Sequence, residues 1–297
     1  MRRITAHVLS AAGAGALALS LMTAPGASAE EQGGKVERHP AATTKAAQQK
    51  VIDYWTPERM KNATPRGQVR ENARPAPGGG ASAEAVQVAP QKEFGKVFFT
   101  LGGSNYVCSG TATQSTNGDV VTTAGHCLNE GPGAYATNFA FVPAYENNNR
   151  PYGTWVAETL ITTNEWKNSG DFNHDVGFAV MAENASGQSL TDVVGGYPIA
   201  FNLGYGLQFD AYGYPAASPY NGQLLWKCSG VAGQDSRGTT DHRLPCSMTG
   251  GSSGGGWITG GKLNSVNSFG YRGEKDVMYG PYFGNVEQTV YTTAAAS

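Results

Sequence analysis

The sequence predicts an all-β protein, and two observations carry the prediction. Glycine is abundant, with 41 in 297 residues, alongside many Tyr and Thr and few charges. Short β-branched or aromatic runs recur between turns built on Gly and Asn, the pattern of a sandwich or barrel. The formal charge of −2 and the lack of a basic cluster argue against a nucleic-acid partner or an anionic membrane surface.

Residues 1–29 read as a signal peptide, in which Arg2 and Arg3 precede an apolar run from Val8 to Met22 and Ala27-Ser28-Ala29 precedes the first acid. Cleavage is expected before Glu30. The run is short for a bilayer span and is broken by Gly13 and Gly15, so a secreted, extracellular protein with no membrane partner is expected.

From Glu30 to Lys92, Ala, Pro, Gly, Gln and basic residues dominate, a composition that reads as a largely disordered leader. One island, Val51 to Met60, has Val51, Tyr54 and Trp55 at helical spacing and predicts a short docking helix. Basic residues outnumber acidic ones over 30–90, and the reverse holds over 91–297. That asymmetry suits a propeptide resting on its own catalytic domain; a disordered exported spacer is the alternative. Removal is placed near Lys92, after the Gly78-Gly79-Gly80 linker.

The folded body is expected over 93–297. Lys96 to Leu101 reads as a strand, Gly102-Gly103-Ser104-Asn105 as a turn, and Tyr106 to Ala112 as the next strand. The hairpin signal Asn117-Gly118-Asp119 feeds Val120 to Thr123, which delivers His126. Asp175 opens a further apolar strand, with His174 before it and so on the opposite face. Asn184 to Asp192 is polar and reads as a connector. The stretch from Cys246 to Trp257 is too rich in glycine for helix or ordinary strand, and places backbone where something must approach closely.

The chemistry-bearing residues occur in the order His126, Asp175, Ser253. A serine hydroxyl becomes a nucleophile when a histidine takes its proton, and the imidazolium needs a carboxylate to orient it. Gly251-Ser252-Ser253-Gly254-Gly255 formally fits the nucleophile elbow of α/β-hydrolases. Those enzymes need a histidine after the serine, and the last one here is His242. Four cysteines downstream of a signal peptide favour disulfides, with three pairings open. No C-x-x-C or compact His/Cys cluster suggests zinc.

Thr123-Ala124-Gly125-His126-Cys127, Asp175-Val176-Gly177, Gly251-Ser252-Ser253-Gly254-Gly255 and Asn267-Ser268-Phe269-Gly270, in this order, resemble the trypsin-like (chymotrypsin-fold) serine endopeptidases. The secreted bacterial branch that includes the glutamyl endopeptidases is the nearest. The resemblance implies two six-stranded antiparallel β-barrels, about 96–183 and 194–292, with the active site in the cleft between them. It implies that Ser253 is the nucleophile, with Ser252 as rival, that His126 is the base and Asp175 its orienter, and that the Gly251 and Ser253 amides form the oxyanion hole. Ser268, Phe269 and Gly270 match the edge that holds an extended substrate, and Ser247 matches the floor of the pocket for the residue cleaved after. Cys108–Cys127 matches the family's bridge, leaving Cys228 to pair with Cys246.

Departures from the family are equally legible. Ser252 stands where most members have an Asp, so activation by an ion pair to a freed N-terminus is not expected. Val266-Asn267-Ser268 lacks the histidine of the glutamyl branch, and Ser247 lacks a charge for a basic substrate side chain. His242 is read as a solvated loop residue, and Tyr145 to Arg150 as a solvated acidic loop. The expected protein is a monomeric, cofactor-free serine endopeptidase acting on protein or peptide, with its own propeptide as partner. The alternative is a catalytically silent homologue that binds peptides.

Overall fold

The computed structural model describes residues 36–71 and 83–297; the signal peptide and the Gly78-Gly79-Gly80 linker fall outside these ranges. The described chain opens with β1 (His39–Pro40), α1 (Lys45–Tyr54), α2 (Pro57–Asn62), β2 (Thr64–Pro65) and β3 (Gln68–Arg70). The largely disordered leader expected from composition is therefore folded over 36–71. Thr44 starts α1 by accepting the Ala47 N–H, and Thr56 with Pro57 starts α2. The docking helix expected over Val51–Met60 is present, split into the end of α1 and α2, and composition misleads for the rest because a few large residues do the anchoring. Val51, Trp55 and Met60 bury themselves in the body's surface, in one cluster with Phe98 and Val107.

The first sheet of the body comprises β5 (Phe94–Leu101), β6 (Ser104–Thr113), β7 (Val120–Thr123), β8 (Thr137–Pro143), β9 (Trp155–Thr162) and β10 (Gly177–Met181). Neighbours pair antiparallel in the cycle β5, β6, β7, β10, β9, β8 and back to β5, so six strands close a barrel with no free edge. The expected first barrel is present. Val97, Phe99 and Leu101 of β5 fill its interior with Val121, Phe141, Leu160 and Phe178. Phe98 points outward, where Trp55 of the leader covers it at 5.4 Å between ring centroids. The apolar run of β5 is continuous because both faces are covered.

The second sheet comprises β11 (Leu207–Gly213), β12 (Trp226–Gln234), β13 (His242–Pro245), β14 (Gly256–Thr259), β15 (Lys262–Val266), β16 (Phe269–Tyr271) and β17 (Val277–Gly280). Its order is β15-β14-β11-β12-β13-β17-β16, with β3 added at the β16 edge. This curled half-barrel corrects the expected second closed barrel. Closure fails in the ladder because the backbone between β15 and β16 bonds to the glycine-rich loop. Asn267 N–H donates to Gly255 O and Gly254 N–H donates to Asn267 O. The Asn267 amide also donates to Tyr212 O at 2.8 Å and Ser252 O at 3.0 Å.

Three helices and one short strand complete the chain. β4 (Val86–Gln87) pairs with β12, so residues from Ala83 onward belong with the second sheet. α3 (Asn164–Ser169) follows β9, and α4 (Leu190–Val194), started by a capping box of Ser189 and Asp192, lies in the connector. The final α5 (Asn285–Ala295) falls within the span of about 194–292 expected for the second barrel and is helical despite its β-branched residues. Tertiary packing decides: Val290 and Ala294 join the first barrel's core, and Tyr291 meets Phe178 at 5.8 Å.

Candidate active site

β7 ends in small residues and a single 3-10 turn, Gly125–Cys127, which carries His126. The Cys108–Cys127 disulfide ties that turn to β6, and Cys228–Cys246 ties β12 to the start of the glycine-rich loop. Both bridges are the expected ones. Asp175 departs from its expected setting, because a 3-10 turn over Phe172–His174 precedes it and the strand begins only at Gly177. Asp171 causes this by accepting the Asn173 N–H and capping the turn. His174 consequently lies off any strand, its Nδ1 2.6 Å from Glu287 Oε1.

His126 and Asp175 are both fully buried. Asp175 Oδ1 accepts the His126 backbone N–H at 2.8 Å, and Oδ2 lies 2.7 Å from His126 Nδ1. Ser268 Oγ donates to the same Oδ2 at 2.5 Å. The carboxylate is thus held by three donors, and the imidazole plane is set by a bond to its own residue's carboxylate partner. His126 Nε2, by contrast, is buried without a hydrogen-bond partner among the described residues.

The serine loop reaches this pair because barrel one is stapled to it. Ser109 N–H donates to Ser253 O at 2.7 Å, Ser109 Oγ donates to Gly251 O at 2.9 Å, and Tyr214 N–H donates to Ser109 Oγ at 2.8 Å. The sequence singles out neither Ser109 nor Asn267 for this support. A serine after a strand cysteine and an asparagine before an edge strand carry no distinctive pattern. Ser252 Oγ turns inward to Thr249 O at 2.8 Å, whereas Ser253 Oγ faces the cleft and donates to Arg66 O at 3.2 Å. Gly251 N–H donates to that same oxygen at 2.6 Å.

Two glycines are required by space. Gly251 has φ +97° and Tyr214 O 2.9 Å from where a Cβ would sit; Gly254 has φ +80° and Thr123 Oγ1 at 2.0 Å from its Cβ position. Gly254→Ala should therefore destabilise the fold by about 3 kcal/mol or more, read as a lowered urea midpoint.

A cavity of about 610 Å³ adjoins Ser253 and is lined by Ser247, Ser268, Phe269 and Gly270 among others. Ser247 Oγ accepts the Ala85 N–H at 2.9 Å and bonds the Tyr220 hydroxyl at 3.0 Å, which makes that wall polar and uncharged. Glu274 also borders the cavity but is taken by Arg237 and Arg243, each at 3.1 Å. Ser268 uses its side chain on Asp175 and its N–H on Tyr279 O. The His/Cys group Cys108, His126 and Cys127 offers no thiolates, because the two sulfurs are joined.

His242 is corrected: it sits in β13, fully buried, among the rings of Tyr205, Phe209, Trp257 and Tyr282. Burial pushes its pKa down to about 4. An unfolded histidine titrates near 6.5, so the unfolded chain takes up a proton first and stability falls as pH drops from about 6.5 to about 4. Neighbouring Asp241, whose pKa burial pushes well up, acts in the opposite direction. The difference between wild type and His242→Phe isolates the histidine. Lowering the pH from 7 to 4.5 should cost wild type about 2 kcal/mol more than the variant in urea unfolding.

No protein-family model matches this chain, and no curated protein matches it. Solved structures do. The crystal structure of protease Anisep from Arthrobacter nicotinovorans is 52% identical with a TM-score of 0.70, covering 72% of this chain and 100% of that one. A thermostable serine protease, AL20, from an extremophilic microorganism is 46% identical with a TM-score of 0.68, covering 70% and 98%. A Glu endopeptidase structure, 19% identical with a TM-score of 0.60 over 73% and 99%, shares the fold.

Proposed function

Since this chain belongs to the trypsin-like, chymotrypsin-fold serine proteases, we propose that it is a secreted endopeptidase working through Ser253, His126 and Asp175 and an acyl-enzyme. The observation that carries the reading is the Arg66 carbonyl. Its oxygen lies within hydrogen-bond reach of both Ser253 Oγ and Gly251 N–H, the place where a scissile carbonyl must sit.

With a substrate carbonyl there, His126 Nε2 takes the Ser253 proton as Oγ adds to the carbon. The Asp175 bond keeps the other ring proton on Nδ1 and offsets the imidazolium charge. The oxyanion is met by the Gly251 and Ser253 amides. His126 then returns the proton to the leaving amine, and water repeats the sequence on the acyl-enzyme. No metal or cofactor is required. Ser268, Phe269 and Gly270 bind the substrate main chain, and Ser247 forms part of the wall of the side-chain pocket.

Residues 1–29 act as the signal peptide, and the segment after it as a propeptide. We place the junction between Glu71 and Ala83 rather than near Lys92; the Ser247 N–H bond to Ala83 O and the pairing of β4 with β12 support keeping residues from Ala83 onward with the mature enzyme.

A fluorophosphonate on the processed protein tests both readings. One adduct on Ser253, absent from Ser253→Ala, is expected, with an N-terminus between residues 72 and 83 in the same intact mass. Failure to label leaves a silent peptide-binding relative.

A further inference from the structure

We infer that residues 64–70 form a strap that keeps the enzyme silent by crossing its active site in the direction opposite to a substrate, and so is not cut by it. The inference rests on the proposed serine-protease reading and names how that site is regulated.

The direction follows from three pairings. β2 runs parallel to β6, Thr64 beside Tyr106 and Pro65 beside Val107, on barrel one. Arg66 N–H then donates to Val107 O at 3.0 Å while its carbonyl takes the Gly251 N–H and Ser253 hydroxyl. β3 continues parallel to β16, Gln68 beside Phe269 and Arg70 beside Tyr271. Gly67, Gln68 and Val69 border the specificity cavity.

In a substrate, the side chain in that cavity belongs to the residue whose carbonyl is attacked. The acyl half, which lies N-terminal to the scissile bond, therefore runs along β16. Here the residues along β16 and the cavity lie C-terminal to the Arg66 carbonyl. The strap is inverted, and the nitrogen that would have to leave, that of Gly67, lies on the acyl side of the site. Ser253 Oγ spends its hydrogen bond on the carbonyl oxygen, and His126 Nε2 has no hydrogen-bond partner among the described residues. The parts of the reaction are present but uncoupled.

The strap is held at both ends. Upstream, Trp55 is buried and donates from Nε1 to Asn138 O at 2.6 Å. Downstream, the Arg70 guanidinium lies over the rings of Phe172, Phe269 and Tyr271, between 5.3 and 5.8 Å from their centroids, and Arg272 N–H donates to Arg70 O. Between them the fit is close, since a Cβ on Gly67 would stand 3.1 Å from Gly250 Cα.

The test compares the full chain, still bearing its leader, with Gly67→Val and with Trp55→Ala. Amide hydrogen exchange at Gly251 reports strap docking, and fluorophosphonate labelling of Ser253 reports exposure. Wild type should protect Gly251, label slowly, and keep the Arg66–Gly67 bond on long incubation. Either variant should exchange Gly251 at least about tenfold faster and label faster in proportion. An unprotected Gly251 in wild type, labelling as fast as in the variants, or cleavage at Arg66–Gly67 overturns the strap. Gly251 freed in a variant without any gain in labelling indicts the serine itself, which separates failure of the strap from failure of the proposed activity.

Discussion

Ser253→Ala should lower kcat/KM of the processed enzyme by roughly 10⁶-fold while leaving peptide affinity nearly unchanged. The split follows from what the side chain touches. Ser253 Oγ makes one hydrogen bond, to a carbonyl oxygen that Gly251 N–H also holds. Removing the hydroxyl deletes the proposed nucleophile and should leave the main-chain grip on substrate intact. Ser252→Ala is the internal control, because Ser252 Oγ is turned inward to Thr249 O. It should cost less than about tenfold. Steady-state kinetics on a peptide ester and an amide substrate, for both variants, read the contrast. Equal losses, or an active Ser253→Ala enzyme, would mean that the wrong serine carries the reaction.

The two serines show why parts of this site were legible and parts were not. The proposed covalent roles leave residue types in order along the chain, and His126, Asp175 and Ser253 announce themselves by kind and by neighbouring glycines. The ban on side chains at Gly251 and Gly254 is likewise written in sequence, because φ near +90° and contacts under 3 Å exclude anything larger. Support by main-chain bonds leaves no such trace. Ser109 holds the serine loop to barrel one through two bonds to the loop's backbone, and its hydroxyl also accepts the Tyr214 N–H.

The fold divides similarly. β5, β6, β7 and β10 could be read from short β-branched or aromatic runs between turns, whereas the open second sheet could not, since its missing ladder is replaced by Asn267 and Gly254 bonding across a loop. His242 read as solvated because a histidine beside Asp and Arg in a Gly-Thr-Thr context resembles a loop. Its actual surroundings, Tyr205, Phe209, Trp257 and Tyr282, come from three other segments. The leader divides in the same way. Low average hydrophobicity suggests disorder over most of it, whereas the Val51–Met60 island reads as a docking helix, and Val51, Trp55 and Met60 do dock against β5 and β6, which supply the apolar surface the leader lacks.

Asp175→Asn should reduce kcat and kcat/KM together, by about 10⁴-fold at neutral pH, with KM little changed. Asparagine keeps the size of the side chain, so the effect is electronic. The carboxylate accepts three bonds, from the His126 N–H, His126 Nδ1 and Ser268 Oγ. An amide in its place can turn an NH₂ group toward Nδ1, which puts the imidazole proton on Nε2. The atom that must take the Ser253 proton is then already protonated. The charge that offsets the imidazolium in the transition state is also lost, and a fully buried pair has no solvent to replace it. Ser268→Ala tests the same centre more gently, removing one of three donors while keeping the charge, and should cost about tenfold in kcat. The ordering Asp175→Asn far below Ser268→Ala, at equal substrate affinity and with unfolding midpoints measured alongside, distinguishes proton bookkeeping at His126 from simple loss of a buried hydrogen bond. Comparable losses in the two variants would assign Asp175 a packing role and move the charge stabilisation elsewhere.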